Sequence, residues 1–515
     1  MVERKGLLKL PDTRGGIALL ISLFLVLLGS RAALISHAAS PIPFLDEWEA
    51  DGARLLAPHL RGSLTLSDLF VPLNEHRIFF TKLFVLSIFH ISGYWDVVLQ
   101  MIANAIVDAA AVAAIACALA RVLDGGLAIA AMILSTLINA LPYGYDNAVL
   151  GFNTHYYLLL AFSLASVWFL ADGRAWSLRW AAGVLCGVCS FLCMASGALT
   201  LAAAAGAHLL QIACGRRAGL REWLGIAALA ALTVALIGLI PHVPEADEFR
   251  AHSFGQFLSA VLALMSWPAH TSLGSFLVLP SALFFLRTLE DRPALSDPCW
   301  FNIMALVWIL SQMVALAVGR ALIPLQSRYF DILLVGLSIS LVSAFWLFQR
   351  NAVLGKPTIW RSLALGAWLG FLALSLTHPQ RHLPDKIEEW RMITAAGAEN
   401  VRQYLATGNT SYILRTPGVE VPTFFPERLR ELLDMPEIRS TLSPALTSRE
   451  APHLWVEVFK RGFLRLSYVW LGVGALMLAA VLARAEMMRR RPVAQDCPSG
   501  GSARIASWQS RPRHG

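Results

Sequence analysis

Two acidic residues, Asp46 and Glu47, stand side by side in the run PIPFLDEWEADGARLL, directly after the first long apolar segment. An acidic pair at a membrane surface suits two kinds of chemistry. A carboxylate can take a proton from an attacking hydroxyl, or the pair can hold a divalent cation such as Mg or Mn. Pro41 and Pro43 stiffen the approach to the pair, and Trp48 suits the membrane interface. The bland alternative is a solvated loop that merely carries charge.

Three further groups carry chemistry. In Asn74-Glu75-His76-Arg77, Glu75 and His76 can assist proton transfer, while Arg77 and Lys82 can hold a phosphate near the headgroup plane. The same residues also suit a helix start with a snorkelling arginine. The stretch Tyr143–His155 sets Tyr143 and Tyr145 beside Asp146, Asn147, Asn153 and His155, a mixture that fits a sugar face or an ordinary aromatic belt. In GRALIPLQSRYFD, Arg320 and Arg328 precede Tyr329 and Asp331. Arginines on the outer side run against the positive-inside trend, so they point to a bound anion such as a lipid phosphate, or to pairing with Asp331 or the acidic first loop. Ser196-Gly197, Pro241-His242 and Trp267 to His270 fall on the same outer face. Asn104 and Asp108 lie four residues apart inside a span, where they suit either a proton relay or a helix–helix hydrogen bond.

These residues need a scaffold, and composition says what kind. The chain is 57% hydrophobic and only 15% charged, where soluble domains run near a quarter charged. Apolar blocks recur, each able to cross a bilayer with about 20 residues. The reading is an all-α, polytopic membrane protein with about twelve transmembrane helices. Its spans begin at 16–37, 95–121, 126–141, 155–171, 180–195, 198–214 and 223–241. They continue with one crossing inside 254–289, which a Trp267-Pro268 break divides, then 299–318, 330–348, 361–377 and 464–484. The first outer loop, 38–94, carries an interfacial helix at 77–91. A small extracytoplasmic helical region, 379–462, caps the bundle before the last span and basic tail, 463–515. The basic turns 172–180, 215–222 and 349–361 fall inside together with both termini. The net charge of +8 therefore sets topology and does not suggest a nucleic-acid partner. The N-terminal apolar run reads as an uncleaved span. Of seven cysteines, Cys186, Cys189 and Cys193 share one helix face as small packing residues, and Cys497 sits in the tail.

The acidic pair in FLDEW, the NEHR run at 74–77, DNAVLGFNTHY at 146–156 and GRALIPLQSRY at 319–329 are arranged along many spans with a late soluble part. That layout resembles the GT-C-fold membrane glycosyltransferases. The resemblance implies an inverting enzyme of the bacterial inner membrane, working at the periplasmic face. It would take a sugar from a polyprenyl-phosphate-linked donor to a glycan or lipid acceptor. It implies Asp46 as general base, Glu47 in support or on a cation, and Arg320 and Arg328 on the leaving phosphate. The soluble part is shorter than in many such enzymes and is followed by another span. A polymerase or ligase of lipid-linked glycans is the alternative enzyme, expected to gather its basic and His residues in one large late loop. A transporter or flippase would need a polar path and an internal repeat; only Asn104 and Asp108 suggest a path, and no repeat is evident.

Overall fold

The computed structural model describes residues 14–490 apart from 270–271, 356 and 415–419. The basic lead before residue 14, His270 and the tail with Cys497 lie outside the described residues. Every regular element among the described residues is a helix, and the one bridge outside a helix pairs Leu73 with His76.

The long helices run in chain order as α1 Arg14–Ala38, α2 Phe79–Ser92, α3 Val97–Ala120, α4 Gly125–Ala140, α5 Thr154–Leu170 and α6 Leu178–Cys193. Next come α7 Leu199–Ala213, α8 Leu220–Gly238, α9 Phe254–Ser266, α10 Leu279–Asp291, α11 Cys299–Gly319 and α12 Ser327–Val353. The chain closes with α13 Thr358–Gln380, α14 Leu383–Thr407, α15 Leu454–Arg465 and α16 Ser467–Arg490. Among the described residues, 10 helical stretches are long and apolar enough to cross a bilayer. The chain is a multi-pass membrane protein. Of the expected spans, α5 and α6, at 17 and 16 residues, are not among those ten stretches. The 254–289 segment is divided as the Trp267-Pro268 pair suggested: α9 ends at Ser266, and a 3-10 stretch Ser272–Val278 leads into α10.

Local chemistry sets the ends. Ser177 and Ser253 cap α6 and α9 by accepting the N–H of Trp180 and Gln256, and Asp96 does so for Leu99 at the head of α3. Helix α1 packs lengthwise on α16, where a Cβ on Gly29 would sit 2.4 Å from the Leu471 nitrogen and one on Gly474 would sit 2.8 Å from the Val26 nitrogen. Without bulk at those two positions, the backbones come close enough for dispersion to hold helices that lipid would otherwise solvate equally well.

The bundle interior also holds charge. Arg31 on α1 binds Asp108 on α3 at 2.8 Å and Asp331 on α12 at 3.3 Å, with all three buried. The late helical region folds onto the 38–94 loop. Its short helices Pro426–Asp434, Pro436–Thr441 and Pro444–Thr447 each begin on proline, where the missing N–H costs nothing. Leu429, Leu432, Leu433 and Ile438 form its buried face. It grips the first loop through Leu45 N–H on the Pro422 carbonyl at 2.8 Å, Trp95 N–H on Thr441 at 2.7 Å, and the Arg61–Glu437 and Arg428–Glu49 ion pairs.

Candidate active site

A cavity of about 1380 Å³ opens where the 38–94 loop, the 141–155 connection, the Met194–Leu199 turn, the 319–329 loop and the α13–α14 junction meet. Asp46, Glu75, His76, Asn153, His155, Arg320, Arg328 and Tyr329 all line it. Segments as far apart in sequence as Phe44 and Phe424 thus converge on one space.

The acidic pair separates in its roles. Leu45 takes a left-handed turn at φ 51°, and Asp46 then points into the cavity. Glu47 is buried, accepting the Phe44 N–H at 2.6 Å on one oxygen and the Phe152 N–H at 2.7 Å on the other. It staples the first loop to the 150–153 turn and so fixes where its neighbour points. Asp46 keeps an exposed face at the cavity, yet partial desolvation by the surrounding protein raises its carboxyl above its ordinary value, with the Arg328 charge opposing. Burial pushes Glu47 to about 7, against the pull of its two N–H donors. With each Glu47 oxygen accepting a backbone N–H and Asp46 lining the cavity, the neighbours face different ways. Among the described residues no cluster of three His, Cys, Asp or Glu side chains is placed to hold a metal, the three α6 cysteines included.

The NEHR run is a tight turn. Asn74 and Ile78 both adopt positive φ, and Leu73 and His76 exchange backbone hydrogen bonds of 2.7 and 2.9 Å. Glu75 and His76 are thereby thrown onto the cavity wall. Arg320 reaches across to Glu75 with two contacts, 3.2 and 3.1 Å. Burial works to raise the Glu75 carboxyl, but Arg320 and His76 outweigh it and hold the group below its ordinary value. Burial drives His76 down to about 4, Glu75 resists, and Arg320 and Arg328 add to the fall, so the imidazole is neutral at pH 7. Its Nδ1 accepts the Ala195 N–H at 3.4 Å. His155 faces the Phe152 carbonyl through Nδ1 at 3.0 Å; a carbonyl only accepts, so that nitrogen carries the proton.

Arg328 is held by the Gln326 amide oxygen at 2.7 Å, and its own carbonyl accepts from Asn147 at 2.8 Å. Asn147 also donates to Asp331 at 2.8 Å. Asp331 is thus taken by Arg31 and Asn147, and Arg328 is left to the cavity, within electrostatic reach of Asp46. Asn153 donates to the Asp146 carbonyl at 3.2 Å.

Arg77 and Lys82 lie off the cavity lining. Arg77 donates to the carbonyls of Phe70 at 2.9 Å and Leu239 at 2.8 Å, tying the first loop to the end of α8. Lys82 donates to the carbonyls of Asp68 and Val71 at 2.8 and 2.7 Å. Burial lowers its ammonium to about 8 while Asp51 opposes. Both anchor loop backbone. Asn104 and Asp108 are likewise engaged inside the protein, the first with Gly151 and Thr154, the second with Arg31.

Sequence reasoning passed over His378, His382, Lys386 and Trp390, all of which line the same cavity. Their even four-residue spacing was the available signal.

Comparison with protein-family models, with curated proteins and with solved structures finds no match for this chain.

Proposed function

We propose that the protein is an inverting membrane glycosyltransferase that takes a sugar from a polyprenyl-phosphate-type donor to a glycan or lipid acceptor outside the cytoplasm. The observation that carries this reading is that Asp46 faces the same cavity as Arg320 and Arg328. Glycosyl transfer needs a base at the attacking oxygen and positive charge at the departing phosphate. Asp46 takes the acceptor hydroxyl's proton as that oxygen bonds to the anomeric carbon from the far side. The bond from that carbon to the phosphate oxygen breaks, and the phosphate leaves with the electron pair. Arg328 and Arg320 stabilise the charge that develops there. A base works best when its pKa lies near the working pH, and partial desolvation moves Asp46 in that direction.

One side of the cavity is apolar, with Ile237 at the end of α8, Ile240 just past it, Phe249, and Val314 and Val318 on α11, next to Arg320. A lipid tail suits that wall and its phosphate suits the arginine. The membrane in question, on this reading, is a bacterial inner membrane with both termini inside.

The deciding experiment assays purified wild type and Asp46→Asn for polyprenyl phosphate release from a panel of lipid-linked sugars, with total glycan extract as acceptor. Release by wild type and its loss in a folded mutant supports the reading. Equal release by both overturns the role of Asp46. The buried Arg31–Asp108–Asp331 group favours a second reading, transport of lipid-linked sugars, because charge inside a bundle often marks a path. Movement of lipid-linked sugar across proteoliposomes without release would favour it.

A further inference from the structure

The cavity has a second wall that the phosphate chemistry leaves unused. Helices α13 and α14 are separated only by Arg381 and His382, and both residues keep right-handed helical torsions. The helical ridge therefore runs on through the junction, although Pro379 and Pro384 interrupt its hydrogen bonding. His378, His382, Lys386 and Trp390 recur every fourth residue along that ridge, and each lines the cavity. Four-residue spacing keeps side chains neighbouring on one helix surface.

The end of this ridge meets the general base. The Trp390 ring lies 4.8 Å from the Phe44 ring, tilted by 60°, and Phe44 is two residues from Asp46. Both rings are only partly buried, and Phe424 adds a third, exposed ring to the lining. Lys386 makes no salt bridge among the described residues and stands within electrostatic reach of Asp146, itself on the cavity wall. Aromatic faces mixed with hydrogen-bonding and charged groups suit a ring with an apolar face and a polar rim. The volume of about 1380 Å³ also exceeds the usual 300–1,000 Å³ of a single small-ligand pocket, leaving space beside a donor headgroup.

We propose that the ridge His378–His382–Lys386–Trp390, with Phe44, is a saccharide-binding subsite, and that the acceptor is a sugar rather than a lipid headgroup. The assignment of this saccharide as acceptor rests on the transferase reading; the presence of the subsite does not. A sugar ring lies against Trp390 and Phe44, its hydroxyls meet Lys386 and His382, and the attacking hydroxyl is delivered to Asp46. The late helical region thus selects the acceptor, and the first outer loop supplies the base.

Footprinting of the full chain in nanodiscs tests this without depending on turnover. The probe is the delipidated polysaccharide fraction of the envelope of cells that make the protein, used intact or after periodate cleavage of its vicinal diols. Lys386 is read by acetylation and Trp390 by hydroxyl-radical oxidation. The intact fraction is expected to protect both, and the periodate-treated fraction neither. Trp390→Ala is expected to weaken protection of Lys386 by roughly three- to tenfold, while Trp390→Phe retains most of it and controls for folding. Absence of protection overturns the proposal, as does protection that survives periodate or that only a lipid extract confers. Polyprenyl phosphate release is measured in parallel. Protection without release keeps the saccharide subsite and removes the transferase reading. Release without protection keeps the transferase and removes this subsite.

Discussion

Arg320 and Glu75 form a two-contact ion pair, 3.2 and 3.1 Å, across 245 residues of sequence. The pair sits on the wall of the main cavity, partly screened from solvent on both sides. It joins the NEHR turn to the loop after α11 and aims the guanidinium before any ligand arrives. Arg320→Ala is expected to lower polyprenyl phosphate release by about 10²-fold, the scale of removing one preorganised donor from a developing anion. Glu75→Gln keeps the arginine and loses its orientation, so its loss is expected to be smaller. Steady-state release rates of the two single variants and the double variant check this; strict additivity would deny that Glu75 acts through Arg320.

Asp46 and Glu47 are adjacent yet predict opposite phenotypes. Asp46→Asn is expected to cut release by about 10²–10⁴-fold with an unchanged melting curve, because the group faces the cavity. Glu47→Ala strands the Phe44 and Phe152 N–H groups and is expected to cost about 1–3 kcal/mol of stability. Paired thermal melts and release assays separate the two.

Asp51 gives a pH signature. Neither of its oxygens has a hydrogen-bond partner among the described residues, and the side chain is fully buried on the π-helical turn Trp48–Leu56. Burial raises its carboxyl well above the ordinary value, Glu47 adds to this, and Lys82 opposes. The folded state then binds a proton that the unfolded chain gives up above about pH 3.9, so this residue lowers stability as pH rises from there. Asp51→Asn is expected to raise the melting temperature at pH 7.5 and to change it little near pH 4. Melts of both proteins across that range check the sign; a gain confined to acid pH would refute it.

The Arg31 cluster predicts strong coupling. Removing the arginine alone, as Arg31→Met, leaves two buried carboxylates and is expected to cost roughly 3–5 kcal/mol. Adding Asp108→Asn and Asp331→Asn should recover most of that loss. If the triple variant also retains polyprenyl phosphate release, the cluster is architecture, and the transport reading loses the feature that favours it.

The class of molecule, an all-helical chain with many apolar membrane-length segments, was legible from residue order alone. Apolar length is a property of each segment alone, because a backbone in lipid has to satisfy its own hydrogen bonds. Residue order also marked Asp46, Glu75, His76, Arg320 and Arg328, since charge beside apolar spans stands out in any register. Which of these share a space depended on the packing of the helices. Glu47 turns away because two backbone N–H groups from different loops claim it, and Arg77 and Lys82 are absorbed by loop carbonyls. Asp331 goes to Arg31, three hundred residues earlier in the chain, which frees Arg328 for the cavity. The His378–Trp390 ridge was written in the spacing but had no meaning until α14 was laid against Phe44. Partnership between distant polar groups depends on how the helices pack, and spacing along one segment does not encode it.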